Sequence, residues 1–132
     1  MNIAVKLSAD TGALAPGEAA RMNWAITSSA YGPVGRPTGD IDDAACPGFL
    51  ANLLTGLGHA EDAKGDFVLD LAEVDHIAAN ALLTLTMARK DAVARGVKII
   101  LARPTQAVRE ILEISRYQLI FDIVDSLEPG SH

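Results

Sequence analysis

The sequence predicts an α/β domain: a small mixed β-sheet of about four to five strands with helices packed mainly on one face. Three observations carry this. Phe67-Val68-Leu69-Asp70-Leu71 and Val97-Lys98-Ile99-Ile100-Leu101 are short, largely apolar runs of strand length. The residues between them read as a helix from about Asn80 to Arg95, ended by Gly96. Apolar strands joined by a helix of that length make a parallel βαβ crossover, and strand and helix patterns continue to alternate on both sides of it.

In chain order, residues 1–21 form an N-terminal extension in which Ile3-Ala4-Val5-Lys6-Leu7 alternates weakly as a short strand. Trp24-Ala25-Ile26-Thr27-Ser28 predicts the first strand of the domain proper, which spans 22–127. Residues 31–38 carry Gly32, Pro33, Gly35 and Pro37, so an irregular edge or bulged strand is expected there. Asp42 or Asp43 then caps a helix with Pro47 in its first turn and Phe49, Leu50, Leu53 and Leu54 on its inner face. Gly56, Gly58 and Gly65 suggest a polar loop before the strand at 67–71. After Pro104, residues 106–115 predict a helix with Val108, Ile111 and Leu112 inward. Leu119-Ile120-Phe121 reads as a short last strand, 122–127 as a half-formed helix and 128–132 as a flexible tail.

Composition narrows the function classes. With 132 residues and 49% hydrophobic content, one domain is expected, burying roughly two-thirds of its unfolded surface. The formal charge of −6 repels phosphate backbones and argues against nucleic acid. No apolar run approaches the roughly 20 residues of a membrane span, and no polybasic cluster marks a lipid surface. The single cysteine, Cys46, and the lack of a visible secretory signal suit a reducing cytoplasm.

The strand at 67–71, the segment Ala72-Glu73-Val74-Asp75-His76-Ile77-Ala78-Ala79-Asn80-Ala81-Leu82 and the apolar strand after Gly96 together resemble the STAS domain, the fold of bacterial anti-sigma factor antagonists. Gly39-Asp40-Ile41-Asp42 upstream and Arg103-Pro104-Thr105-Gln106-Ala107-Val108 downstream extend the resemblance over roughly residues 23–126. The family's loop carries an Asp-Ser-Ser-Gly type signature whose first serine is phosphorylated. Here the matching positions read Ala78-Ala79-Asn80-Ala81, with Ala79 at the serine position. The resemblance therefore implies a non-catalytic binding module without phosphorylation at the usual site. Its implied partner is an anti-sigma factor or a serine-protein kinase of the histidine-kinase-like ATPase type. The implied partner surface comprises Asp42, Asp75, His76, Ile77, Ala78, Ala79, Asn80, Leu83 and Met87. A STAS-like subunit of an ABC lipid-transport complex, which by the resemblance needs no phosphoserine, or a scaffold of a stress-sensing complex, is the alternative.

Other constellations read blandly. Asp40, Asp42 and Asp43 fit a strand end and helix cap better than a cation site. Asp75 and His76 are adjacent in an extended segment and point apart, so they form no dyad. Without metal-ligand spacing, a nucleophile–base arrangement or a phosphate-binding glycine motif, no enzyme activity, metal or cofactor is implied. Asp70, inside an apolar strand, is expected to accept hydrogen bonds from backbone N–H groups near residues 76–80. Asn80 is expected to cap the following helix. That helix carries two apolar stripes: Leu82, Leu85, Ala88 and Ala92 suit the sheet, while Leu83, Met87 and Ala94 suit either a neighbouring helix or an exposed docking face.

Overall fold

β1 (Asn23–Ser28) and β2 (Pro33–Ile41) form an antiparallel hairpin in the computed structural model, which describes residues 22–127. The expected strand at 3–7 and tail at 128–132 lie outside the described residues. A 3₁₀ turn, Asp43–Ala45, leads into α1 (Cys46–Ala63), followed by β3 (Phe67–Asp70), β4 (Val74–Ile77), α2 (Ala79–Arg95), β5 (Ile99–Ala102) and α3 (Gln106–Ile114). A second 3₁₀ turn, Tyr117–Leu119, precedes β6 (Asp122–Val124). The sheet is mixed and six-stranded, in the order β1-β2-β3-β5-β6, with β4 pairing β2 off that path. Every pairing except the hairpin is parallel.

Four local readings are corrected. Residues 33–41 are a central strand, with β1 on one side and β3 and β4 on the other. Pro37 is tolerated because of where the partner changes: Val34 and Gly35 face β3, and Gly39 to Ile41 face β4. The Gly39 N–H donates to Glu73, so by alternation the donor missing at Pro37 points into that interval. The expected bulge is present between Gly39 and Asp40. Second, Gly56 and Gly58 lie within α1, not in a loop. Gly56 lets the helix approach β3, since a Cβ there would meet the Phe67 ring at 2.3 Å.

Third, Val74–Ile77 is a strand within what read as a loop. Only its two ends are buried, so period-two alternation is absent, and its identity depends on β2. Fourth, the last strand starts at Asp122, and 122–127 is not helical. The Tyr117 hydroxyl lies 2.8 Å from Thr86 Oγ1 and 3.0 Å from the Leu82 carbonyl, and its ring stacks on Phe121. These contacts tie the 3₁₀ turn to α2 and delay pairing with β5.

The larger core cluster draws on all three helices, including Phe49 and Leu53 of α1, Leu82, Leu85, Ala88 and Ala92 of α2, and Val108 and Leu112 of α3. Val34, Val68, Ile100 and Ala102 form a smaller cluster on the opposite face, against Tyr31, Val124 and Leu127. The helices thus sit mainly on one face, and the β4–α2 junction emerges at the C-terminal edge of the sheet.

Candidate functional site: the β4–α2 junction and the outer face of α2

The junction is held by its backbone. Ala78 is extended, and its N–H donates to the Ile41 carbonyl at 2.9 Å, which hooks the end of β4 to the end of β2. The Ala78 carbonyl then accepts from Ala81 and Leu82, starting α2. Ala78 is the N-cap and has no side chain to bond the first turn. The first helical N–H groups therefore lack a side-chain cap and carry the positive end of the helix dipole. Asn80 does not cap, contrary to expectation, because it sits one residue inside the helix. Its Nδ2 donates instead to Asp43 Oδ1 at 3.1 Å.

The acidic corner is thereby tied to the junction. Asp42 Oδ1 accepts from the Ala45 N–H at 3.1 Å, capping the 3₁₀ turn. Asp43, which sequence placed only as a possible cap, is the residue that reaches α2; nothing local in the sequence marks a contact across 37 positions. Among the described residues no group of three or more His, Cys, Asp or Glu side chains is arranged to hold a metal ion. Ser29 Oγ closes the hairpin turn by donating to Gly32 O and accepting from Tyr31 N–H, and Cys46 Sγ lies 3.5 Å from the Asp42 carbonyl.

The remaining expected surface residues divide clearly. Asp75, His76, Ala79 and Asn80 are exposed, and Ala78 is half-buried. Leu83 is 59% and Met87 56% exposed, and with Ala79 they fall at four-residue spacing along one line of α2. Ala94 is exposed too. Ile77 is corrected: it is 2% exposed and packs in the main core, so its side chain offers a partner nothing. Alternation along β4 explains the error poorly, since both of its end residues turn inward.

Asp70 ends β3, just before the turn into β4, and is completely buried. It does not bond the N–H groups of residues 76–80. Its Oδ1 accepts from the Ala72 N–H at 3.2 Å and Arg103 Nε at 3.1 Å, while Oδ2 accepts from Arg36 Nε at 3.0 Å and Arg103 Nη2 at 2.5 Å. Burial alone pushes this carboxyl up, but the Arg103 hydrogen bond, the Ala72 N–H and the Arg36 hydrogen bond together hold it below its ordinary value. The Asp70 carboxylate thus clamps β2, the segment after β5 and the turn into β4.

A model of the STAS domain matches residues 31–129, and the chain belongs to the STAS domain family. The fold is similar to that of a Thermotoga maritima protein described as an anti-sigma factor antagonist, at 17% identity and a TM-score of 0.66, over 79% of this chain and 87% of that one. An anti-sigma factor antagonist from Mycobacterium paratuberculosis aligns at 16% identity and a TM-score of 0.63, covering 80% of this chain and 87% of its own. The anti-sigma factor antagonist SpoIIAA, in its unphosphorylated form, aligns at 13% identity and 0.58, over 79% and 89%. These likenesses establish a shared fold. No relative among curated proteins matches. No helix among the described residues is long and apolar enough to cross a membrane.

Proposed function

We propose that this chain is a non-catalytic protein-binding module of the anti-sigma factor antagonist kind, acting in the cytoplasm on an anti-sigma factor or serine kinase of the histidine-kinase-like ATPase type. The docking face comprises Asp42, Asp75, His76, Ala78, Ala79, Asn80, Leu83 and Met87. One observation carries the reading: two large apolar side chains, each more than half exposed, continue in line from an uncapped helix start. Scattered exposed apolar residues are ordinary, but an aligned pair beside free backbone donors suits a partner's core contact. Ala79 has no hydroxyl, so binding is not switched off by phosphate at that position.

The test is a comparative capture from native lysate, read by mass spectrometry, with wild-type chain and Leu83→Asp/Met87→Asp as baits. An ATPase of this type retained by the wild type and lost by the variant supports the proposal. Capture of a transporter ATPase with its permease by the same face moves the reading to a transport-assembly subunit. Equal recovery by both baits removes this face from the interface. Installing Ala79→Ser and offering the captured kinase extends the test: phosphate entering the variant alone supports a site whose switch has been lost, and no phosphate in the variant, or phosphate on a hydroxyl of the wild-type chain, refutes it.

A further inference from the structure

A cavity of about 290 Å³ opens between the second half of α2, the start of β5 and the residues leading into β6, far from the junction. Val93, Ile120 and Phe121 supply apolar wall, and Arg89, Lys98 and Asp122 the polar rim. Lys98 and Asp122 pair with each other at 3.2 Å. Arg89 is half-buried, and its guanidinium makes no hydrogen bond or ion pair among the described residues. Val93 and Ile120 are 63% and 40% exposed, so the wall beside this cation is left uncovered.

We propose that this cavity binds a small monocarboxylate with a short branched or aromatic tail, its carboxylate on the Arg89 guanidinium and its tail against Val93, Ile120 and Phe121. A guanidinium presents paired donors to a carboxylate, and apolar walls with one polar anchor are the usual chemistry of small-ligand sites. Charge balance selects a monoanion. Lys98 and Asp122 neutralise each other, which leaves the single positive charge of Arg89 unmatched, and one negative charge balances it where the two of a phosphate monoester would not. Arg89 follows Met87 by two positions and so points to a different side of α2, which separates this site from the docking face by direction, not by distance.

The probe is phenylacetate, titrated into the isotope-labelled full chain and followed by two-dimensional NMR of the backbone amides. Saturable shifts confined to residues around Arg89, Val93 and Phe121 are expected. Binding falls about tenfold or more for uncharged phenylacetamide and for Arg89→Gln, consistent with loss of a charge-assisted hydrogen bond. Absence of saturable shifts well into the millimolar range overturns the proposal. So does equal binding of the amide, a comparison made on the wild-type chain, or unchanged affinity in Arg89→Gln.

Discussion

Two stripes of the same helix, equally apolar in sequence, have opposite fates. Leu82, Leu85, Ala88 and Ala92 are at most 6% exposed, whereas Leu83 and Met87 exceed 50%. The difference is set by what lies outside the helix: the sheet and α1 on one side, nothing among the described residues over the other. The inner stripe serves cohesion, the outer one is the face proposed for docking, and substitution tests the two separately. Leu85→Ala, on the inner stripe, is expected to cost about 2–5 kcal/mol, because a fully buried leucine leaves a cavity in a close-packed core. The urea midpoint should fall accordingly; an unchanged midpoint breaks the assignment of this stripe to the core.

Asp70 extends the contrast to the polar groups. It is wholly buried, while the arginines it joins keep side-chain exposures of 38% and 39%. Asp70→Asn removes the charge and leaves both guanidiniums facing a neutral amide. A loss of about 3 kcal/mol is expected, moderated by the access of both arginines to water. The sign of the pH dependence follows from the depressed pKa. The wild-type contribution is complete above the ordinary value of 3.8, and it is lost as pH falls through the lower folded value. Stability measured against pH should therefore drop at the acid end in wild type and flatten in Asp70→Asn. Parallel curves would show that the clamp does not set acid stability.

Legibility in sequence followed the range of the determining contact. β3, α2 and the Gly96 stop at the end of α2 were readable from local apolar runs and from a residue suited to φ 73°. β4 was not, because Val74 and Ile77 enclose two exposed polar residues and the strand exists through its register with Gly39 to Ile41. The arginine partners of Asp70 lie 34 and 33 positions away, beyond any local pattern. At the candidate site, Ala79 could be placed from the strand–helix junction, but the exposure of Leu83 and Met87 could not. A second apolar stripe reads the same whether a helix covers it or not.

Gly56 sharpens the comparison from the α1 side. In a free helix, glycine to alanine gains about 1 kcal/mol of propensity. Here the added Cβ would stand 2.3 Å from the ring of Phe67, which is fully buried and stacked on Trp24. Overpacking of this kind costs about 1–3 kcal/mol, so Gly56→Ala should destabilise by about 1 kcal/mol net. Calorimetry should register this as a Tm lower by about 3–5 °C. A rise in Tm would mean that the α1–β3 contact can relax, and that the inner side of the scaffold is less fixed than α2 suggests.

The smallest expected stability effect is the most informative about function. Leu83→Ala removes a side chain that is already 59% exposed and substitutes a residue of higher helix propensity. Its unfolding free energy should stay within about 0.5 kcal/mol of wild type. The same truncation at the centre of an interface costs more than about 1 kcal/mol of binding, so affinity for the captured partner should fall about fivefold or more. Calorimetric titration beside a urea curve reads both quantities on one sample. Loss of stability comparable to Leu85→Ala would put Leu83 in the core and dissolve the distinction between the stripes. Loss of affinity with stability retained separates recognition from cohesion on a single helix, one position apart from the buried Leu82.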